Sequence, residues 1–373
     1  MTGPPPEIST ADWSDWRWQV KNRLTTPGQL ASFLKIMDLP QNLRRVLDLY
    51  PWGSTPYYLS LVDRDAQSDP IALQCIPREE EITFSLPGSD PDPLAERANS
   101  PCPGLLHRYR DRVLVLATGT CYSYCRHCNR KRNWKTPDLT LSETDIQRMV
   151  RYISAHPEIR EVIISGGDPL TLPLETLDRM LHCFRAIHNV EVLRLGTRVP
   201  VVLPMRITNE LALMLKGHRP LWVNTHFNHA REITTEAADA CDRLLCAGIP
   251  VSNHTVLLRG VNDSYEVLHR LFTRLNRIMV RPYYLFHCDA VKGTDHFRTS
   301  IDTGVRLMLK LWGDTGGLCL PRYVVDLPSG GGKAPVMPSF LIDSDKDCAI
   351  FRTSEGGVLK YRGPHGAEAR HGR

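Results

Sequence analysis

Residues 113–132 read VLVLATGTCYSYCRHCNRKR, a short apolar run followed directly by three cysteines in the spacing CxxxCxxC. Apolar runs of this length that stop at a loop are typical of buried β-strands. The thiolates of Cys121, Cys125 and Cys128 can hold three irons of a [4Fe–4S] cluster, whose usual protein ligands are four cysteines. The fourth iron would then be open to a small molecule. The stretch therefore predicts a strand that leads into a catalytic iron–sulfur site.

Two other interpretations of these cysteines stay open at this point. They could bind zinc together with a distant fourth ligand such as His127, or they could be ordinary buried thiols. The spacing favours a cluster, because zinc sites usually combine one CxxC pair with a second. A disulfide framework is disfavoured, since the 11 cysteines are scattered along the chain and odd in number.

Outward from this stretch, short apolar runs alternate with amphipathic stretches along the chain. Repeated strand–helix units predict an α/β fold with a parallel sheet and outer helices, and their number suits a complete or partial (βα) barrel. In such barrels the chemistry lies at the carboxyl ends of the strands, where the cysteines stand. The predicted strands are VLVLA from Val113, EVIIS from Glu161, VEVLRLG from Val190, LWVNT from Leu221, IPVSNHTVLL from Ile249, MVRPYYLF from Met279 and RYVV from Arg322.

The part before the barrel is predicted to be helical and irregular, with Thr10 and Thr26 as helix N-caps. Residues 85–104, SLPGSDPDPLAERANSPCPG, have the composition of a linker or a wrapping loop. Within the barrel, Ser142 and Asp145 form a capping pattern before an amphipathic stretch. We expect three regions: an N-terminal helical and wrapping region (1–103), the partial barrel (104–328) and a lysine-bearing C-terminal extension (329–373).

The amino-acid composition argues against two classes of protein, nucleic-acid-binding and membrane-spanning. Hydrophobic residues make up 42% and charged residues 23%, as in ordinary globular proteins, and the net charge is +5. A nucleic-acid-binding protein would show a longer basic face with interleaved aromatic residues. The chain has no apolar leader and no apolar run of 18 residues. We therefore expect a cytosolic protein with neither a membrane span nor a nucleic-acid partner.

Two glycine-rich turns follow predicted strands. Ser165, Gly166, Gly167 and Asp168 come directly after EVIIS, and glycine there would allow a ligand to approach the backbone, although a tight turn would look the same. The second turn, 329–333, reads SGGGK and lacks the spacing of a nucleoside triphosphate loop. Its lysine could form a Schiff base with pyridoxal phosphate, or it could be a solvated lysine on a flexible loop.

Two carboxylates, Asp289 and Asp326, each follow a late strand. If both face one pocket, they favour a cationic group of the substrate over an anionic one. They could equally be loop caps or members of structural salt bridges.

Taken together, CxxxCxxC, SGGDP, a late CD…HFR segment and DxPxGGGK resemble the lysine 2,3-aminomutase family of radical S-adenosylmethionine enzymes. The resemblance extends from about residue 13 to about residue 360 and includes DWRWQVKNR, TPYYLSLVD, SPCPGLLHRYRDRVL, NTHFNH, VLLRGVND and GGGKAPVMP. It implies a radical S-adenosylmethionine partial barrel and three cofactors: a [4Fe–4S] cluster, S-adenosylmethionine and pyridoxal 5′-phosphate.

The resemblance also implies roles for particular residues. The three cysteines would ligate the cluster, S-adenosylmethionine would chelate the open iron near residues 165–168, and Lys333 would carry pyridoxal phosphate as an internal aldimine. The remaining matches are Arg108 and Arg112 for the phosphate, Arg130 for the substrate carboxylate, and Asp289 with Asp326 for the ε-ammonium of lysine. The implied reaction moves the 2-amino group of L-lysine to C3, with electrons from a flavodoxin- or ferredoxin-type donor.

Departures from the family pattern leave several points open. Ser264 follows GVND where the clostridial type has a cysteine, and the tail has no cysteine, so we expect no structural zinc. A homodimer or higher oligomer is expected. Phe286 and His287 stand where the resemblance leads us to expect a tyrosine and an amide. Arginine, and less so glutamate or a protein-bound lysine, remain alternative substrates, and a non-catalytic iron–sulfur protein remains the alternative class.

Overall fold

The computed structural model describes residues 8–64, 66, 68–135, 141–345 and 348–362. In this part of the chain, strands β1 to β9 form one sheet in sequence order, and β10 to β12 form a second, small sheet. The strands are β1 (Leu105–Tyr109), β2 (Arg112–Leu116), β3 (Glu161–Ser165), β4 (Val192–Gly196), β5 (Leu221–Thr225), β6 (Val251–Leu257), β7 (Arg281–His287), β8 (Arg322–Leu327), β9 (Gly332–Pro335), β10 (Leu341–Ser344), β11 (Cys348–Arg352) and β12 (Val358–Arg362).

Fourteen α-helices accompany these strands in the described residues. They are α1 (Thr10–Ser14), α2 (Trp16–Lys21), α3 (Pro27–Phe33), α4 (Gln41–Leu49), α5 (Pro56–Ser60), α6 (Pro70–Cys75), α7 (Glu80–Thr83), α8 (Glu143–Ser154), α9 (Leu174–Arg185), α10 (Val199–Val202), α11 (Asn209–Lys216), α12 (Thr235–Cys246), α13 (Tyr265–Arg277) and α14 (Ile301–Asp314).

The sheet is the barrel-like core that the sequence predicts. Strands β2 to β8 are parallel neighbours, and they confirm all seven predicted strands. Two antiparallel strands were not predicted: β1 pairs with β2 at one edge, and β9 pairs with β8 at the other. Both are short and contain polar residues, glycine or proline instead of an apolar run, so their sequences carry no strand signal.

Helices cover the outer face of the sheet because each has an apolar stripe at helical spacing. In α13 the buried residues Leu268, Leu271, Phe272 and Leu275 follow this spacing. Burying each side chain contributes roughly 1.5–3 kcal/mol. The capping box predicted at the start of α8 is confirmed, with Ser142 and Asp145 bonding to each other's backbone N–H groups.

The N-terminal region is helical, as predicted, and shares the core of the barrel. Thr26 caps α3 as expected, but α1 is capped by Ser9, so the prediction for Thr10 is wrong by one residue. Tyr57 and Tyr58 of α5 are fully buried. Their hydroxyls bond to Thr234 at 2.6 Å and to Glu232 at 2.7 Å, next to helix α12. No helix of the described residues is long and apolar enough to cross a membrane.

The predicted region boundaries stay predictions. Strands β8 and β9 pair across the second boundary, and Asp326 lies opposite Lys333 in their register. The lysine therefore belongs to the same sheet as the cysteine-bearing strand end.

Candidate active site

A cavity of about 790 Å³ lies inside the sheet. Every residue that the sequence marks as a site candidate lines it, although these residues come from strand ends and loops over 200 positions apart. The set comprises Cys121, Cys125 and Cys128; Ser165, Gly166, Gly167 and Asp168; Arg108, Arg112 and Arg130; and Asp289, Asp326 and Lys333.

Hydrogen bonds from the N-terminal region hold the cysteine loop, residues 118–132, in place. The Arg23 guanidinium donates to the carbonyl oxygens of Cys121 and Tyr122, at 2.8 Å each. The Tyr124 N–H donates to the Gly53 carbonyl at 2.9 Å, and the Arg126 N–H donates to that of Gln74 at 2.8 Å. These long-range bonds fix the loop backbone, and with it the directions of the thiols.

A buried ion cluster supports the same loop. The guanidinium of Arg126 donates to both carboxylate oxygens of Glu81, at 2.9 and 2.6 Å, and Lys131 Nζ donates to Glu81 at 2.7 Å. Burial alone would raise the pKa of Glu81, but the charges of Arg126 and Lys131 overcome it and lower the pKa to about 2. The glutamate is therefore ionised, and its removal would leave two buried cations unpaired.

Arg198 reaches the cysteine loop from the other side. Its Nη1 donates to Cys125 Sγ at 2.8 Å, and its Nη2 donates to Gln74 at 2.6 Å and Glu232 at 2.8 Å. Sequence reasoning missed this residue, since no local pattern joins positions so far apart in the chain.

The environment of the three thiols fits a metal cluster. Burial raises the pKa of Cys121 above its ordinary value, and it raises that of Cys128 to about 11. Metal ions bind cysteines as thiolates and lower the pKa of a coordinating thiol. In the described part of the chain, no group of three His, Cys, Asp or Glu side chains is placed to hold a single metal ion. The expectation of no structural zinc stays a prediction.

The SGGDP turn packs against the start of the cysteine loop. Gly167 N–H donates to Thr118 O at 2.6 Å, and Asp168 N–H donates to Thr120 O at 2.8 Å. Gly166 has a φ of +121°, and a Cβ on Gly167 would overlap the Thr120 backbone. The glycines are therefore required by this close packing, a reason that the sequence does not reveal.

The Asp168 carboxylate is engaged within the protein. It accepts hydrogen bonds from Thr197 Oγ1 and from the Arg198 N–H, at 2.7 Å each. Burial raises its pKa. Ser165, Gly166 and Gly167 also line the cavity.

Lys333 lies in a compact group of charged and aromatic side chains. Its Nζ is 3.0 Å from Asp326 Oδ2, and Arg108 Nη2 is 3.5 Å from Asp326 Oδ1. The ammonium stands 5.6 Å from the ring centre of Tyr109 and 5.4 Å from that of Phe286. Among the described residues, Nε and Nη2 of Arg108 and the Tyr109 hydroxyl are buried without a hydrogen bond. These donors beside a lysine fit an anionic phosphate-bearing ligand.

Asp289 and Asp326 both line the cavity. Burial and the charge of Asp326 raise the pKa of Asp289 to about 7. Asn129 of the cysteine loop donates to Asp289 Oδ2 at 3.3 Å. An incoming cation would relieve the repulsion between the two carboxylates.

Aromatic residues and histidines line the adjoining wall of the cavity. The His254 ring packs against His226 with centres 5.3 Å apart and against Phe286 with centres 5.2 Å apart, and its Nε2 is 3.1 Å from Asn224 Nδ2. Burial lowers the pKa of His254 well below its ordinary value and that of His226 to about 4. Both rings are therefore neutral at pH 7, and they add no charge to this wall.

The remaining arginines have partners inside the protein. Arg130 Nη2 donates to Glu96 Oε1 at 2.7 Å. Arg112 Nη1 donates to Asp111 at 2.7 Å, and its guanidinium lies 3.9 Å from the Tyr109 ring centre. Glu96 was not predicted, because it lies in the segment that reads as a linker.

Comparisons with known proteins identify the family of this chain. The model described as Lysine-2,3-aminomutase matches residues 308–372, and the model of the Radical SAM superfamily matches residues 115–272. The L-lysine 2,3-aminomutase of Clostridium subterminale is 44% identical over 96% of this chain and 86% of its own length. The chain belongs to the lysine 2,3-aminomutase family.

Other members of this family are comparably similar. A putative L-lysine 2,3-aminomutase of Aquifex aeolicus is 46% identical over 94% of this chain and 95% of its own. A glutamate 2,3-aminomutase of Clostridioides difficile is 41% identical over 94% and 82%. Membership implies a [4Fe–4S] cluster, S-adenosylmethionine and pyridoxal phosphate. The three thiols that line the cavity fit a cluster, and the Arg108 donors without a hydrogen bond near Lys333 fit a phosphate.

Proposed function

We propose that this chain is an isomerase that moves the 2-amino group of L-lysine to C3, giving 3,6-diaminohexanoate. The observation that carries the proposal is the single cavity that brings together three cysteines, a lysine and two carboxylates. Relatives named L-lysine 2,3-aminomutase, 44% identical over 96% of the chain, support it.

In this proposal the cofactors supply two different parts of the reaction. The cluster with S-adenosylmethionine supplies a carbon radical that removes a hydrogen atom from C3, and pyridoxal phosphate supplies a carbonyl group that binds the migrating nitrogen. Cys121, Cys125 and Cys128 hold the cluster in this proposal. Residues 165–168 border the S-adenosylmethionine. The reaction is redox-neutral overall, since the product is an isomer of the substrate.

At the other cofactor, we assign Lys333 Nζ to covalent attachment of pyridoxal phosphate. Arg108 and Arg112 are the assigned phosphate contacts, and the support for this assignment is that Nε and Nη2 of Arg108 make no hydrogen bond, although Nη2 forms an ion pair with Asp326 at 3.5 Å. The neutral His226 and His254 add no charge to this wall. Holding the reactants together and excluding water are the main contributions of the protein.

For the substrate, we assign the ε-ammonium to Asp289 and Asp326 and the carboxylate to Arg130. The Lys333 ammonium, 3.0 Å from Asp326, is an internal example of a primary ammonium at this carboxylate. A side-chain carboxylate would meet two acids, which disfavours glutamate. The guanidinium of arginine would satisfy the same two acids, so arginine is the second candidate.

The setting of the reaction is part of the proposal. We propose a cytosolic homo-oligomer, a dimer or larger, that receives its electron from a small flavodoxin- or ferredoxin-type carrier. Light scattering of the purified holoenzyme tests the oligomer. Turnover with a purified reduced carrier instead of a chemical reductant tests the donor.

Two measurements test the proposed function. Anaerobically reconstituted enzyme with reductant and S-adenosylmethionine is incubated separately with lysine, arginine and glutamate, and the β-amino isomers are quantified. We expect lysine to be converted fastest, and faster conversion of arginine would overturn the substrate.

The second measurement locates the pyridoxal phosphate. Borohydride reduction followed by peptide mapping should place the label on Lys333, and Lys333→Ala should lose both label and visible absorbance. The matched control Lys360→Ala, at an exposed position of β12, should retain both. Label on another lysine would contradict the assignment.

A further inference from the structure

The segment that reads as a linker is a strap across three loops of the site. We define the strap as residues 89–99. Asp90 N–H donates to Ala290 O at 3.0 Å, and Asp90 O accepts from the Lys292 N–H at 3.1 Å, so the strap pairs with the loop that carries Asp289. Ser329 N–H donates to Pro93 O at 2.9 Å. This bond connects the strap to the lysine loop, residues 327–335, which carries Lys333.

Two residues of the strap, Leu94 and Glu96, line the cavity. Glu96 is 3% exposed and lines the cavity wall. It accepts from Arg130 Nε at 3.0 Å and Nη2 at 2.7 Å, and from Arg132 Nη2 at 2.5 Å. Arg132 is also paired with Asp92 at 3.0 Å. A buried carboxylate with two cations is strongly held in place.

The pattern of bonds at Arg130 leaves one edge of the guanidinium available. A guanidinium has five N–H donors, arranged as one edge of Nε with Nη2 and another of Nη1 with Nη2. Glu96 takes the first edge. Nη1 has no hydrogen bond to any residue that the structure describes, and it is not enclosed. The second edge can thus accept a carboxylate in the bidentate geometry that arginine favours.

We propose that Glu96 is a positioning residue that fixes Arg130 so that its Nη1–Nη2 edge receives the substrate's α-carboxylate. The inference rests on the proposed function for the role of Arg130. Holding a long side chain in its binding geometry before the ligand arrives reduces the entropy lost on binding. The strap thereby connects substrate recognition with the cysteine loop, which carries Arg130, and with the lysine loop.

A competing role for Glu96 makes the opposite prediction. If Glu96 only occupied Arg130 as a rival anion, its removal would free both edges and tighten lysine binding. The two roles therefore differ in the sign of one measured change.

The test compares two ligands in the holoenzyme loaded with pyridoxal phosphate. L-lysine and 1,5-diaminopentane share the carbon chain and both amines, but only lysine has a carboxylate. The dissociation constant of each is measured from the change in the absorbance of bound pyridoxal phosphate, without S-adenosylmethionine. For Glu96→Gln we expect lysine to bind about 10-fold more weakly, because one charged acceptor is lost, and diaminopentane to change less than about 2-fold.

The matched control is Arg132→Gln. Arg132 bonds to the same carboxylate of Glu96 from outside the cavity lining, so this variant disturbs Glu96 without touching the ligand. We expect its ratio of lysine to diaminopentane affinity to stay within about 2-fold of the parent, because Glu96 keeps its charge and its bonds to Arg130. If Arg132→Gln changes the ratio as much as Glu96→Gln does, Glu96 has only a structural role and the inference fails.

Further variants separate the possible failures. If Glu96→Gln does not fold, Glu96→Asp keeps the charge but withdraws it from Arg130, and a ratio change of about 3-fold is expected. An unchanged or improved lysine affinity in the variant tested overturns the inference. Arg130→Met should abolish the preference for lysine. If it does not, the assignment of Arg130 is wrong; if neither ligand alters the absorbance of the parent protein, the proposed function itself fails.

Discussion

The cysteine loop and the lysine loop, residues 327–335, face each other across the cavity but are held in different ways. The cysteine loop is fixed by buried side chains from the N-terminal region, such as Arg126 on Glu81. The lysine loop is fixed through backbone geometry, with positive φ at Ser329 (56°), Gly330 (80°) and Gly332 (83°), with pairing to β8 and with one bond from the Ser329 N–H to Pro93 O of the strap. The cluster side should therefore be sensitive to distant substitutions, and the lysine side to local ones.

The largest effect that this comparison predicts is on stability at the cysteine loop. Arg126→Met leaves Glu81 with only Lys131 as a cation, and we expect a loss of about 3–5 kcal/mol in the free energy of unfolding. Urea titration measures it, and iron content after reconstitution should fall as well. The control Arg160→Met removes an exposed ion pair with Glu191 and should leave stability unchanged. Equal losses in both variants would contradict the comparison.

Asp289 lies between the two loops. Because it is buried near Asp326, its ionisation should make the free energy of unfolding depend on pH. The folded chain raises the pKa of Asp289 to about 7 through burial and Asp326, so it binds this proton more tightly than the unfolded chain. Stability from this group is therefore present at low pH and is lost as pH rises from about 4 to about 7.

The variant Asp289→Asn removes that loss. Without cofactors, its unfolding free energy relative to the parent protein should improve by up to about 4 kcal/mol between pH 4 and pH 8. Urea titrations of both proteins across this range give the difference curve. A flat curve would mean that Asp289 is ionised without penalty and is not enclosed with Asp326 and Lys333.

Gly167→Ala tests the close packing of the SGGDP turn on the cysteine loop. The new Cβ would overlap the Thr120 backbone, so we expect a loss of about 1–3 kcal/mol and reduced iron incorporation. In the control Gly316→Ala the new methyl group has nothing within 4 Å. Normal iron content in Gly167→Ala would show that the turn does not position the cysteines.

The smallest expected change is on the lysine side. In Gly332→Ala the Cβ has space, 3.5 Å from the Tyr109 ring, but a φ of +83° costs an alanine about 1 kcal/mol. Gly88→Ala has the same φ of +83° away from the site, with nothing within 4 Å. Both should lose similar stability, whereas only Gly332→Ala should weaken pyridoxal phosphate binding. If the two variants bind pyridoxal phosphate equally well, the backbone of the lysine loop has no local role in binding this cofactor.

The sequence predicts those parts of the site that follow strands directly. The cysteines, the SGGDP turn and Asp289 follow parallel strands, Asp326 lies near the carboxyl end of β8, and parallel strands end at one rim. Arg198 and Glu96 could not be predicted, because their partners lie over 30 residues away and no periodicity links them. The edge strands β1 and β9 were missed because pairing with a neighbour, and not composition, makes them strands.

The central claim is an intramolecular shift of nitrogen within one cavity. The most direct test supplies L-lysine labelled with ¹⁵N at the 2-amino group to anaerobically reconstituted enzyme with S-adenosylmethionine and reductant. The account predicts 3,6-diaminohexanoate with the label on C3, and no product from Lys333→Ala. Label that stays on C2 in protein carrying both the cluster and pyridoxal phosphate, or product whose nitrogen is unlabelled, would contradict it.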